Sequence, residues 1–396
     1  HNRFLMLRNH EDLTIQQGCE SGLAHAIKVA NDLGYKDCKA GAVLCMDVTN
    51  GEILGMASAP SFSPSVFVGG ISNDDWDALN SEEGMYPLIN RAIQGQYCSA
   101  STIKPLTSFA ALSNGIATIT STYYCAGLWT GFGEAYGQYC WKKTGHGTMT
   151  IETGITYSCD VVFYEIGKAF YLSDNPEAQQ DHLRMWGLGS TYGIDLPSEA
   201  TGRVPDADWK NEYYSAYDEN TRAWMGGDQT NLSIGQGDLL VTPLQMACAY
   251  AGIANEGPIW RPHVLKGVQA QGASGTVVEY QPEIALSPTE DATYFSTIKK
   301  GLRGVLEKES TNIIAHFSTL SVSVEGKTGT GEVNGKDPVG WFVAYAPAES
   351  PKYVCACVVE EGGYGENSAM RGVRDVFGAI YNEPDTSDAI STSGAR

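Results

Sequence analysis

An α+β fold is predicted by three observations. Strand-like apolar runs sit near both ends of the chain, a long helix-patterned middle lies between them, and neither an internal repeat nor a low-complexity linker divides the 396 residues. The expected architecture is an antiparallel sheet built from the N- and C-terminal segments, with helices on both faces and a largely helical second subdomain. A chain this long can bury a substantial core, so one domain over 1–381 is the economical division, followed by a disordered tail over 382–396 that is short of apolar residues.

From Leu13 to Asn31 apolar residues recur at helical spacing, with Gly34 as a stop. Ala42–Val48 and Glu52–Ser58 then read as two strands around Thr49-Asn-Gly51, since Asn-Gly supplies the positive φ angles that a tight hairpin turn needs. Pro60–Pro64 is a loop, and Asn73–Glu83 is a polar, acidic surface stretch. The middle, from Ser101 to about Ala251, is mostly helical in pattern, with long Gly-punctuated connections at Gly127–Gly137 and Asp206–Asp228. Trp341–Ala346 and Tyr353–Glu360 form a second strand pair across Pro347–Pro351, and Arg371–Tyr381 reads as a closing helix.

Composition narrows the function classes. With 26 Lys+Arg against 46 Asp+Glu, the formal net charge is -20, which repels phosphate backbones and argues against a nucleic-acid partner. No apolar stretch reaches the roughly 18 residues that suggest a membrane span, and the abrupt start at His1 fits an excised portion of a longer protein. Ten cysteines are too few for a disulfide scaffold. Cys45, Cys248, Cys355 and Cys357 lie in apolar runs and read as small core residues.

Three short motifs carry chemistry. In Ser101-Thr-Ile-Lys104 a serine and a lysine three residues apart share one helical face, where the amine can take the hydroxyl proton, and the apolar run Leu106–Leu112 places Ser101 at the start of a buried helix. Alone, such a pairing is far more often a surface helix pair. Ser158-Cys-Asp160, ahead of the apolar run Val161–Ile166, offers a hydroxyl and a carboxylate for proton transfer, or simply a helix cap. Lys327-Thr-Gly-Thr330 supplies a cation, two hydroxyls and a glycine that allows close backbone approach, which together suit an extended, carboxylate-bearing acyl substrate. Taken singly it could decorate any edge strand. The set of three, in this order, is the signature of β-lactamases and penicillin-binding proteins.

Beyond the motifs, the chain resembles the transpeptidase domain of class B, elongation-type penicillin-binding proteins from its start to about Ile380. The resemblance includes Met46–Ser61, Asn90-Arg-Ala-Ile93, Ser233-Ile-Gly-Gln-Gly237, Thr242–Ala247 and Gly340–Pro347. It implies the penicillin-binding protein transpeptidase and serine β-lactamase-like fold, and a peptidoglycan D,D-transpeptidase that works through a serine acyl-enzyme and is acylated by β-lactams. By the same resemblance Ser101 is the nucleophile, Lys104 its base, and Ser158 with Asp160 the proton-relay pair. Lys327, Thr328, Gly329 and Thr330 line the substrate strand, and the backbone N–H groups of Ser101 and Thr330 form the oxyanion hole. The implied partners are stem peptides ending in D-Ala-D-Ala, β-lactams and a membrane glycosyltransferase; the implied location is the extracytoplasmic face of the bacterial membrane, with an anchor outside this chain. A D,D-carboxypeptidase, which differs in using water as acceptor, and a β-lactam-sensing receptor domain are the alternatives. Two departures stand out: Asp160 replaces the Asn of many relatives and puts a negative charge near Lys104, and Tyr97-Cys-Ser-Ala-Ser101 replaces the usual Pro-Gly approach to the serine.

The acyl-transfer chemistry requires no cofactor. Between the first two motifs, however, Cys125, Cys140 and His146 are spaced for a structural zinc site, with Cys159 or a carboxylate as fourth ligand, and some class B relatives bind zinc near this region. A Cys125–Cys140 disulfide and free thiols are the competing readings.

Overall fold

The computed structural model describes residues 5–9, 12–270 and 278–385. Gly41–Asp47 (β1) is buried along its whole length because it is an interior strand with a core on each face. Ala42, Leu44 and Met46 point into one core and Val43 and Cys45 into the other, as the two-residue period of a strand requires. Its neighbour Ile53–Ala59 (β2) is reached through the Asn-Gly turn, where Gly51 takes φ +83° and the Asn50 side chain accepts the Glu52 N–H at 3.0 Å. From the other end of the chain come Glu325–Gly331 (β3), Val339–Ala346 (β4) and Tyr353–Val359 (β5). The five strands run antiparallel in the order β3-β4-β5-β1-β2, so N- and C-terminal segments do close one sheet, with β3 at an edge.

One face is covered by Leu13–Asp32 (α1), together with the closing helix described below. Asp12 caps α1, its carboxylate accepting the N–H groups of Thr14 at 2.9 Å and Ile15 at 3.2 Å. The helical side of the molecule contains Lys104–Ser113 (α2), Ile151–Thr156 (α3), Asp160–Tyr171 (α4), Gly226–Ser233 (α5), Pro243–Ala254 (α6) and Ala292–Gly304 (α7). Every residue of α6 is buried, because it packs on β1, β4 and β5 on the opposite face of the sheet from α1, inside the core shared with the helical side. The closing helix is Ala369–Tyr381 (α8), whose amphipathic face lies on β4 and β5 and against α1, with His25 Nδ1 2.8 Å from Asp375 Oδ2. The four early cysteines read as core residues, Cys45, Cys248, Cys355 and Cys357, are fully buried.

Several segments depart from the pattern in the sequence. The acidic surface stretch begins with a short helix, Asn73–Leu79, capped by Ser72. The Gly-punctuated connection after α2 contains paired short strands, Tyr123–Cys125 with Gly147–Met149 and Leu128–Trp129 with Gln138–Tyr139. Residues 382–385, expected to begin a disordered tail, are tied down: Glu383 N–H donates to Gly378 O at 2.8 Å, its carboxylate accepts the Ser321 N–H at 2.8 Å, and Arg374 donates to its carbonyl at 3.0 Å. The rest of that expectation, 386–396, lies outside the described residues. No described helix is long and apolar enough to cross a membrane.

Candidate active site

Ser101 lies in a single 3-10 turn, Ala100–Ile103, that runs directly into α2. Ala100 just before it is held at φ +49°, a backbone region that costs a non-glycine residue energy and persists only where the surroundings fix it. Those surroundings are identifiable. Ala100 N–H donates to Gly235 O at 2.8 Å, Tyr250 OH donates to Thr102 O at 2.8 Å, and Trp341 Nε1 donates to Cys98 O at 2.9 Å. Gly235 must be glycine on two counts, φ +77° and a Cβ that would fall 2.1 Å from Ala100 O. The unusual Tyr97–Ser101 approach is therefore clamped by the Ser233–Gly237 segment, by α6 and by β4.

Lys104 is fully buried, one turn after Ser101. Its Nζ donates to Asp160 Oδ1 at 2.7 Å, to Ser158 O at 2.9 Å and to Ser158 Oγ at 3.3 Å, and sits 5.2 Å from the centre of the Phe163 ring. The second motif is thus no ordinary cap. Ser158 occupies φ +51° in the tight turn between α3 and α4, which aims its hydroxyl and its carbonyl at one ammonium. Asp160 is the first residue of α4, where the helix N-terminus favours its charge, and its Oδ2 accepts the backbone N–H of Trp141 at 2.9 Å. Among the described residues no hydrogen bond joins Ser101 Oγ to Lys104 Nζ, whose donors go to Ser158 and Asp160.

β3 carries the third motif against the serine turn. A Cβ on Gly329 would sit 3.1 Å from Thr102 Cγ2 and 3.3 Å from Ser99 O, so even one added carbon would crowd the serine turn and force a small shift. Lys327 is fully buried, donating to Thr328 O at 3.2 Å and Thr328 Oγ1 at 3.1 Å. Burial pulls its ammonium down to about 8, offset in part by the Glu309 carboxylate 3.9 Å away and reinforced by the Lys104 charge. Thr330 is partly exposed; its carbonyl accepts from Gln236 Nε2 at 3.3 Å and its hydroxyl from the Gly365 N–H at 3.4 Å. All three motifs therefore meet around the serine turn, where the sheet edge lies against the helical side.

The model of the penicillin binding protein transpeptidase domain matches residues 41–381. The chain belongs to that family. The peptidoglycan D,D-transpeptidase MrdA of Haemophilus influenzae is 30% identical over 361 residues, covering 87% of this chain and 53% of the relative, in keeping with a class B, elongation-type member. The chain thus spans about half the length of that curated relative. A structure from a peptidoglycan synthase complex, described as coordinating polymerization and crosslinking, superposes with a TM-score of 0.83 at 29% identity, covering 96% of this chain and 63% of that one. Penicillin-binding protein A from M. tuberculosis, in an imipenem acyl-enzyme complex, superposes with a TM-score of 0.72 at 25% identity, covering 94% and 79%.

In this transpeptidase domain Cys125, Cys140, His146 and Cys159 converge beside the second motif, their ligand atoms all within 4.8 Å of one another. All ten cysteines are free, so Cys125 and Cys140 are not bridged. His146 Nδ1 lies 3.6 Å from Cys125 Sγ and 3.5 Å from Cys140 Sγ. Hydrogen bonding, first to Cys159 and then to His146, pulls the Cys140 thiol down, while the same contact with Cys140 and burial push the Cys159 thiol up. Three sulfurs and an imidazole around one point fit a tetrahedral zinc site.

Sequence reading missed Glu309. It ends a π-helical turn, Val305–Glu309, after α7, and both its oxygens accept from Thr328 Oγ1 at 3.3 Å. Burial raises this carboxyl, against the pull of Lys327. The charged run Glu307-Lys-Glu309 carries no motif, and only the π turn shows that its last member faces inward.

Proposed function

We propose that this chain is a serine-type peptidoglycan D,D-transpeptidase domain, covering 1–381, that cross-links stem peptides and is covalently inhibited by β-lactams. The observation that carries the reading is the single network in which Lys104, one turn from Ser101, holds both Ser158 and Asp160 while β3 is sealed against the serine turn. Ser101 Oγ attacks the carbonyl between the two terminal D-alanines; the C–N bond breaks, D-alanine leaves with a proton, and a second strand's amine then displaces Ser101 from the acyl-enzyme. Lys104 takes the Ser101 proton. To do so it first gives one up to Asp160, the carboxylate in contact with it at 2.7 Å; Ser158 Oγ, at 3.3 Å, takes a proton from Lys104 only as it releases its own. Ser158 returns the proton to the leaving amine. The N–H groups of Ser101 and Thr330 face the developing oxyanion, and Lys327, Thr328 and Thr330 receive the substrate carboxylate, with Gly329 allowing the close approach.

Enzymes of this family generally need no cofactor for the chemistry. Zinc at Cys125, Cys140, His146 and Cys159 would act structurally, fixing the loop whose Trp141 N–H holds Asp160. The peptidoglycan synthase complex among its structural likenesses supports a membrane glycosyltransferase as partner, and a peptidoglycan substrate favours the extracytoplasmic face of the bacterial membrane as the site of action.

Incubation with a fluorescent penicillin, followed by mass spectrometry of the labelled peptide, tests the assignment. One adduct on Ser101, lost in Ser101→Ala with unchanged thermal stability, is the expected result; wild-type labelling of Ser101→Ala would reject it.

A further inference from the structure

The Glu309 carboxylate has an odd set of partners. Its neighbours Glu307 and Lys308 are exposed, whereas only 8% of its own side chain is, because the π turn adds a residue and swings it toward β3. A carboxylate turned inward for structure alone normally collects short, charged hydrogen bonds, since an ill-paired buried charge is costly. Asp160 does so, with contacts of 2.7 and 2.9 Å. Glu309 instead has one hydroxyl at 3.3 Å and one ammonium standing off at 3.9 Å.

Those two groups are donors on the strand that the proposed function assigns to the substrate carboxylate. We propose that Glu309 is a specificity-determining residue of this site: its carboxylate occupies the Thr328 hydroxyl and faces Lys327, so an incoming anionic acyl donor must compete with it. The inference rests on that functional reading of β3.

Hydrogen-bond accounting supports it. Thr328 Oγ1 has a single proton; it accepts from Lys327 Nζ at 3.1 Å and donates to Glu309, which leaves no donor for a ligand. Charge accounting agrees. Besides each other, the groups acting on Glu309 and Lys327 are the cation Lys104 on α2 and the anions Asp160 on α4 and Glu366 before α8, so carboxylates already engage both lysines when a substrate carboxylate arrives. An extended peptide has contacts along its length to hold it during the exchange; a compact β-lactam has few.

The test measures second-order acylation of Ser101 by benzylpenicillin and by its uncharged methyl ester, in the wild type, in Glu309→Gln and in Glu309→Asp. Gln keeps an acceptor for Thr328 but removes the charge. The expected result is a rise of about tenfold for penicillin in Glu309→Gln, with the ester changed by less than about twofold, and a smaller rise in Glu309→Asp. The acid-to-ester ratio is insensitive to a general loss of folded protein. An unchanged or lower ratio in both variants overturns the inference, a lower one showing that Glu309 orients Lys327 for the substrate instead. If neither reagent labels Ser101 in the wild type, the acyl-enzyme reading itself fails and takes the inference with it.

Discussion

Two fully buried lysines lie near the same serine turn, and they are held in opposite ways. Lys104 touches its carboxylate directly, Asp160 at 2.7 Å, and adds the carbonyl and hydroxyl of Ser158. Lys327 spends its hydrogen bonds on one neutral threonine, and its carboxylate, Glu309, stands 3.9 Å away. The difference follows from the backbones. Asp160 opens a helix whose preceding turn is fixed by Ser158, whereas Glu309 closes a π turn and reaches β3 mainly through a hydroxyl. A proton-transfer group needs acceptors in contact with it; a recognition group needs capacity left over for a ligand.

The comparison breaks most sharply at Lys104. Lys104→Ala should slow acylation of Ser101 by penicillin ~10²–10⁴-fold, the usual cost of a lost general base, and should slow the methyl ester equally. A loss under about tenfold for both reagents would move the base to another residue, with Ser158 first in line. Lys327→Ala should behave differently, costing penicillin about 10- to 100-fold and the ester little, because only the anion loses a partner. Equal losses for acid and ester would erase the distinction between the two lysines. A pH series sharpens it further. Lys327 is cationic below about 8 and loses its charge above, so wild-type acylation by penicillin should decline as pH rises through about 8, with the acid-to-ester ratio declining alongside. A ratio flat from pH 7 to about 10 would show that Lys327 does not read the carboxylate.

The smallest effect on rate is expected from the thiol cluster, which touches the reaction only through Asp160. Protein purified without chelator should hold one zinc per chain, and its removal should lower Tm by about 5 °C before it alters acylation. Ten reactive thiols without metal, or two missing thiols without metal, would each reject the zinc assignment in favour of free cysteines or of a disulfide formed in solution.

The sheet and the three motifs were legible in the sequence because each depends on local pattern. Asn50-Gly51 sets the first hairpin, β4 and β5 are long apolar runs, and Ser101 with Lys104 share one turn of backbone. What could not be read depends on the path of the chain between elements. The strands at 123–149 are only two or three residues long and show no periodicity; they exist because the loop folds on itself around Cys125, Cys140 and His146. Cys159 could be named only as one possible fourth ligand, since its place beside the others is set by the turn between α3 and α4. Glu309 left no trace, because Glu307-Lys-Glu309 has the composition of any solvated helix end. Residues 382–385 look like a tail by composition and are held by arginine and backbone contacts that composition does not reveal.

One residue joins the thiol cluster to the chemistry with no spacer. Cys159 stands between Ser158 and Asp160, and Cys140 immediately precedes Trp141, whose N–H holds Asp160. The loop over 125–147 cannot leave Cys159 without disturbing the Trp141 contact to Asp160, so the two regions should open as one cooperative unit. In amide hydrogen exchange the Trp141 N–H and the first free amides of α4 should share a single opening free energy, and metal should raise both together.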